Sequence, residues 1–240
     1  MSAVRRRPER LVLLHAGRDL IVVNKPAGVL AIPSAPGRAA HEDSMLARAR
    51  EYARHKRGRQ AYAGMLHRLD RGTSGALAIA LSPAVHAAGR QLFAAHRFHR
   101  TYLAIVEGAP EEDAGVIDRP IGAEYRDGRR DVITPGEETL PARTRFHVVE
   151  RFGRRAALVE LTLETGRQHQ IRIHLASIGH PVMDDRVYGR ARESARPTDR
   201  PLLHAATLAF PHPLTGDRIA VQAPLPRDFR ARLARLRERA

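Results

Sequence analysis

The sequence predicts an α+β fold centred on a mixed, mostly antiparallel sheet flanked by helices. Three observations predict it. Apolar runs of strand length outnumber helical stripes, several follow one another with only a turn between, and neither an internal repeat nor a linker divides the chain. One catalytic-size domain over residues 11–240 is therefore expected, preceded by a mobile basic arm at residues 1–10.

Leu11–Leu14 and Asp19–Asn24 read as short apolar strands joined at Gly17, and Lys25-Pro26-Ala27-Gly28 ends the second. Asp43 or Ser44 can cap a helix reaching about His55, with Leu46, Ala49 and Ala53 on one face. Ala76–Leu81 is a strand. Ser82 and Pro83 then start a helix, because a hydroxyl can cap the first turn and proline has no amide hydrogen to leave unbonded there. Val85, Ala88, Leu92 and Ala95 carry its stripe to about Phe98. Tyr102–Val106 is a strand ending at Gly108, and the Gly-, Pro- and charge-rich stretch Ala109–Leu140 is expected to form a hairpin-like excursion. Thr144–Glu150 and Ala156–Leu163 are strands around Gly153. Gln168–Ile178 is a short helix, with Thr165 as candidate cap and Ile171, Leu175 and Ile178 facing the core. Leu202–Phe210 and Arg218–Gln222 are strands split by the Leu214–Asp217 turn. Asp228–Arg237 is a terminal helix that aligns Phe229, Leu233 and Leu236.

Composition narrows the function. The 240 residues carry 41 Lys and Arg against 26 Asp and Glu, a formal net charge of +15. Such a field attracts polyanions, and nucleic acid is the usual one in the cytoplasm. Lys25 and Lys56 are the only lysines; coding bias accounts for most of that skew, although guanidinium also suits phosphate recognition and base stacking. Hydrophobic residues at 43% exclude wholesale disorder, and the absence of cysteine excludes disulfides, thiolate metal sites and a cysteine nucleophile. No apolar run approaches the roughly 18 residues of a membrane helix, and the arginine-rich start is not a secretory signal. A cytoplasmic protein without membrane attachment is expected.

Four segments can carry chemistry. In His67-Arg68-Leu69-Asp70-Arg71-Gly72-Thr73-Ser74-Gly75, an acid lies among cations, which favour its charged form. Asp70 is then either a turn-capping residue or a nucleophile or base. In Thr165-Gly166-Arg167-Gln168-His169-Gln170-Ile171-Arg172-Ile173-His174, helical spacing sets His169 and Arg172 on one face. Gly166 would leave backbone amides room for a phosphate, unless the segment is only a solvated basic helix. A metal site is not expected, because His169 and His174 are five apart rather than four and no nearby carboxylate completes a set. Arg100-Thr101-Tyr102-Leu103-Ala104 offers Tyr102 either as a half-buried strand residue or as a stacking platform for a base. Leu202-Leu203-His204-Ala205 and Phe210-Pro211-His212-Pro213 read as strand and turn. No G-x-S-x-G elbow, P-loop, dinucleotide fingerprint or zinc-deaminase motif is present.

Together with the Lys25 turn, these segments resemble the RluA family of pseudouridine synthases. Lys25-Pro26-Ala27-Gly28 is similar to the family's K-P-x-G, His67–Gly75 to H-R-L-D-x-x-T-S-G, and Arg100–Ala104 to K-x-Y-x-A. Thr165–His174 resembles T-G-R-x-H-Q-I-R-x-H, continued by His180-Pro181, while Leu203-His204-Ala205 and His212-Pro213 resemble the last motif. The order is the family's, from about Leu11 to Pro226. Arg100 departs from the usual lysine, and Met183-Asp184-Asp185 stands where a Gly-Asp pair is usual, which questions the local backbone geometry.

The resemblance implies the pseudouridine synthase fold with a central RNA-binding cleft. It implies isomerisation of a uridine in structured ribosomal or transfer RNA, with neither metal nor cofactor. Asp70 would be the catalytic aspartate, Arg172 its basic partner, and Tyr102 the residue against the target uracil. Arg68 would enter the base stack in place of the flipped nucleotide, with His67, Arg71, Thr73, Arg167 and His169 as further substrate contacts. A monomer without an obligatory protein partner is the simplest expectation. Two rival readings are a catalytically silent RNA-binding protein on the same fold and an RNA hydrolase using His67 and His169 as acid and base.

Overall fold

The computed structural model describes residues 11–34, 42–122, 138–189 and 200–239. The arm expected at Met1–Arg10 and the middle of the 109–140 excursion lie outside them. β1 (Leu13–Ala16) and β2 (Leu20–Lys25) form the first hairpin, closed where the Gly17 amide donates to the Leu20 carbonyl. α1 (Met45–Arg57) starts at Ser44, whose hydroxyl accepts from the Ala47 amide, so of the two candidate caps the serine is used. β3 (Gly64–Met65) is a two-residue strand beside β4 (Ser74–Ala80). α2 (Pro83–Ala94) is capped by Ser82 and carries Pro83 in its first turn, as expected, but ends before Phe98.

β5 (His99–Glu107) follows. The excursion then supplies β6 (Ala114–Asp118) and pairs β7 (Ile121–Gly122) with β8 (Thr139–Leu140). β9 (Arg143–Phe152) and β10 (Ala156–Leu163) form a long hairpin that leads to α3 (Gln170–Ser177). β11 (Leu203–Pro211), β12 (Arg218–Gln222) and α4 (Arg227–Arg237) complete the described chain. Among the described residues, ten strands share one sheet. Its main path is β1-β2-β4-β11-β5-β10-β9-β6, with β12 beside β11 and β3 beside β4. Of these strands only β11 and β4 pair in parallel, so the mixed, mostly antiparallel sheet read from the sequence is the one observed.

Alternation along β4 explains the layering. Leu77 and Ile79 join a core shared with Met45, Ala49 and Ala53 of α1 and Ile171 and Leu175 of α3. Ala76, Ala78 and Ala80 face the other way, toward Val85, Leu92 and Phe93 of α2. Each buried Leu, Ile, Val, Met or Phe side chain on these faces is worth roughly 1.5–3 kcal/mol, each alanine methyl less. No described helix is long and apolar enough to cross a membrane.

The parallel contact of β4 with β11 has a steric requirement. Gly75 has φ +119°, and a Cβ there would lie 2.1 Å from the Ala205 carbonyl oxygen. Beside it, Ser74 Oγ lies 2.9 Å from His204 Nδ1, while His204 Nε2 faces the Ala223 carbonyl. A carbonyl only accepts, so Nε2 carries the proton and Nδ1 accepts from the serine. His174 bridges in the same way, from Thr144 Oγ1 to the Arg119 carbonyl. A third buried imidazole, His67, accepts from the Ala78 amide at Nε2 and stacks on Phe93. Burial, assisted by the Arg100 charge, pushes His67 down to about 3, and burial lowers His174 and His204 as well.

Gly75→Ala combines a left-handed backbone position with a backbone clash, and should destabilise the protein by at least about 2 kcal/mol in urea unfolding. The histidines set the sign of an acid dependence. Below pH 6.5 the unfolded chain binds protons that the folded one refuses, so stability is full above that pH and falls as pH drops toward 3. For His67 alone the loss between pH 7 and pH 5 should be about 2 kcal/mol, and a His67→Gln variant should show a correspondingly shallower fall in urea midpoint.

Candidate active site

Three elements meet at one cleft: the loop ahead of β4, the start of β5 and the N-terminal end of α3. Arg68, Asp70, Thr73, Tyr102, Arg167, His169 and Arg172, all named from sequence, line it. Asp70 sits on the loop, where the Thr73 amide closes a turn onto its carbonyl. Its neighbours' carbonyls are anchored from outside. Lys25 Nζ donates to the Arg71 carbonyl at 3.1 Å and to that of Pro26 at 3.0 Å, and the Gly28 amide also donates to Arg71. Arg200 Nη1 donates to the Gly72 carbonyl while its Nε and Nη2 grip Asp228 of α4. Burial pushes the Lys25 ammonium down to about 7, against the pull of Asp70.

The carboxylate of Asp70, 26% exposed, has Arg172 Nη1 at 3.5 Å and His169 Nε2 at 3.9 Å. The helical spacing thus brings both residues to Asp70, although His169 precedes the first turn of α3 in a left-handed conformation, φ 58°. Its Nδ1 lies 3.1 Å from the Tyr188 hydroxyl. Arg172 Nε and Nη2 make a bidentate pair with Asp185 at 2.6 and 2.8 Å, and its guanidinium lies over the Tyr188 ring. Burial works against the charged form of Arg172, but Asp185 and then Asp70 outweigh it and hold the guanidinium above its usual range. Asp185 Oδ1 also accepts the Val187 and Tyr188 amides. Tyr102, 5% exposed, has its hydroxyl pushed up by burial and by Asp70, with Arg100 pulling the other way.

Several expectations change here. His67 is buried in the aromatic core beside Phe93 and Phe98 and does not line the cleft, because its ring meets the Ala78 amide on the far side of the loop. The His67–His169 hydrolase pair is therefore not assembled. Arg71 turns Nε to the Gly28 carbonyl and fastens the loop instead of lining the cleft. Thr165 does not cap α3; its hydroxyl donates to Gln170 Oε1 and accepts the Arg143 amide, tying the turn to β9. The Arg100 guanidinium lies close to Gly166, where a Cβ would be 3.1 Å from Nη1. At the position that departs from Gly-Asp, Asp184 adopts φ 61°, which Asp tolerates better than most residues, and Arg232 Nη2 holds its carboxylate at 2.8 Å.

Tyr188 and Arg200 join the site without having been singled out from the sequence, where Asp185 stands out only for its local backbone. The one signal there is a pair of adjacent acids after His180-Pro181 in a strongly basic chain. Among the described residues, no three His, Asp or Glu side chains cluster as metal ligands would.

The family model for RNA pseudouridylate synthase matches residues 19–177. An RNA pseudouridine synthase of Chloroflexus aurantiacus is 41% identical over 90% of this chain and 66% of its own length. The dual-specificity RNA pseudouridine synthase RluA of Escherichia coli is 34% identical over 89% of this chain and 93% of its own. Ribosomal large subunit pseudouridine synthase D of Zymomonas mobilis is 34% identical over 91% and 70%. The solved structure of human RNA pseudouridylate synthase domain containing 4 superposes with a TM-score of 0.78 at 25% identity, covering 94% of this chain and 93% of that one. Likeness of this extent, in sequence and in backbone, shows that the chain belongs to the RluA family of RNA pseudouridine synthases, which are isomerases.

Proposed function

We propose that this protein converts a specific uridine of structured ribosomal or transfer RNA to pseudouridine, with Asp70, Arg172 and Tyr102 as its catalytic residues. The observation that carries the reading is the Asp70 carboxylate, 3.5 Å from a buried guanidinium and sharing a cleft with a buried phenol. A carboxylate so placed attacks the ribose or takes a proton from it as the N-glycosidic bond breaks. Either route frees the base, which must turn and rejoin through carbon 5 without leaving. The Tyr102 ring gives it a flat wall to lie against.

A stacked uridine has to be everted to reach this depth, at a cost of a few kcal/mol. Arg68, exposed at the rim, is a planar cation able to fill the vacated stack and offset part of that cost. Arg167 at the same rim serves the RNA backbone, and the net charge of +15 adds a salt-sensitive attraction. His169 and Thr73 line the pocket as substrate contacts. A monomer acting on cytoplasmic RNA is the simplest arrangement for this activity. The same trio disfavours a catalytically silent binder, which has no use for it. The direct test maps pseudouridines in total RNA from cells with and without the gene; a site lost with the gene and restored with it names the substrate.

Asp70→Asn should cut the single-turnover rate by at least about 1,000-fold while RNA affinity stays within a fewfold of wild type; an active variant removes Asp70 from the mechanism. Asp185→Asn should lower kcat by about 100-fold with KM unchanged, because the guanidinium it aims loses its second grip. Steady-state kinetics on the mapped RNA separates the two parameters.

A further inference from the structure

One cation on the cleft floor has no part in the scheme above. Arg100 lies two residues before Tyr102 on β5, so both side chains leave the same face of the strand. It is 9% exposed, and its guanidinium carbon lies 4.8 Å from the centroid of the Phe93 ring. Its Nη1 fills the space that Gly166 leaves open. Among the described residues no carboxylate pairs with Arg100, and its Nε has no hydrogen-bond partner. Thr73 Oγ1, on the same cleft and almost fully buried, has none either. A buried guanidinium without a counter-charge costs stability, and structures keep such a group where a ligand completes it. The other buried cations are committed: Arg172 to Asp185 and Asp70, Arg48 to Asp43, Lys25 to two carbonyls.

We propose that Arg100 is a catalytic residue that balances the negative charge left on the uracil when it departs from C1′, with Thr73 as a second contact to the same base. The inference rests on the uridine-isomerase reading. When the C1′–N1 bond breaks, its electron pair stays with the base and spreads over N1, O2 and O4. Asp70 meets the deficit at C1′, either by forming an O–C1′ bond or by taking the 2′ proton so that the C2′–H pair becomes a C1′–C2′ double bond. Carbon 5 of the anion then bonds to C1′, reversing that step, and the proton lost from carbon 5 is balanced by one gained at N1. Arg100 stays protonated throughout; it only supplies a fixed positive charge where negative charge develops, in a water-poor site. A backbone phosphate is the less suitable occupant. Phosphates run along the solvated rim, where Arg68 and Arg167 are exposed, whereas Arg100 lies buried beside the Tyr102 hydroxyl.

The experiment uses the full chain and a stem-loop oligoribonucleotide carrying the mapped uridine. With saturating RNA, Arg100→Gln should slow single-turnover isomerisation by about 100-fold, as loss of one oxyanion-type donor does, while Arg100→Lys, which keeps the charge, stays within about tenfold. RNA affinity and its salt slope should be unchanged in both. Arg100→Gln removes a buried charge that no carboxylate balances, so its urea midpoint should equal or exceed that of wild type, which separates catalysis from folding. Replacing the target by 5-fluorouridine makes the departing base carry its charge more easily and should shrink the Arg100→Gln defect, read as loss of the starting nucleoside from RNA digests. An Arg100→Gln rate within threefold of wild type, or an unchanged rate with weaker RNA binding and a salt slope reduced by about one, overturns the assignment while leaving the isomerase reading standing. A wild-type protein that converts no uridine overturns both.

Discussion

The site depends on how the loop carrying Asp70 is held. A loop is the wrong place for a group that must be placed to a fraction of an ångström, since loops move more than the elements they join. Here two buried or nearly buried cations grip successive carbonyls. Lys25, at the end of β2, holds the Arg71 carbonyl, and Arg200, ahead of β11, holds that of Gly72 while anchored to α4. Both grips use backbone oxygens, so they fix where Asp70 stands without competing for its carboxylate. The K-P-x-G turn, remote from Asp70 in sequence, thereby becomes part of the site.

Around the carboxylate, positive charge is divided by depth. Arg172 is gripped on its Nε edge by Asp185 and stacked on Tyr188, which leaves Nη1 for Asp70. A guanidinium held by one carboxylate alone would be free to pivot away from the other. The bidentate grip converts it into a fixed wall. Arg68 and Arg167 stay at the solvent-facing rim, where screening is strong. Arg100 lies between these extremes, deep and uncompensated. Gly75, against the β11 backbone, marks a point where the fold cannot tolerate a side chain, and a side chain at Gly166 would press on the Arg100 guanidinium.

Much of this arrangement is legible in the residues alone. Ser44 and Ser82 cap helices because short hydroxyl side chains satisfy amides that helix geometry leaves open, a local rule that needs no tertiary context. Arg172, in the first turn of α3, and His169, just ahead of that turn, both reach Asp70, as their spacing of three suggests. His67 goes the other way. A histidine so close to an aspartate in sequence suits a substrate contact, but a β4 amide and the rings of Phe93 and Phe98 claim it for the core. Thr165 similarly gives up a capping role to Gln170 and to the Arg143 amide of a neighbouring strand.

By itself the sequence determined the chemistry available: which carboxylate, guanidinium and phenol exist, the order of the motifs that carry them, the alternation that builds the sheet, and the family. Those follow from residue type and short-range spacing. Only the tertiary structure decided which cations are paired and which is left over. Asp185 grips Arg172 across 13 positions and Arg200 reaches Gly72 across 128, while Arg100 meets no carboxylate among the described residues. Helical and strand periods run out within a few turns, so nothing local encodes such pairings; they are settled when the sheet closes and the core excludes water.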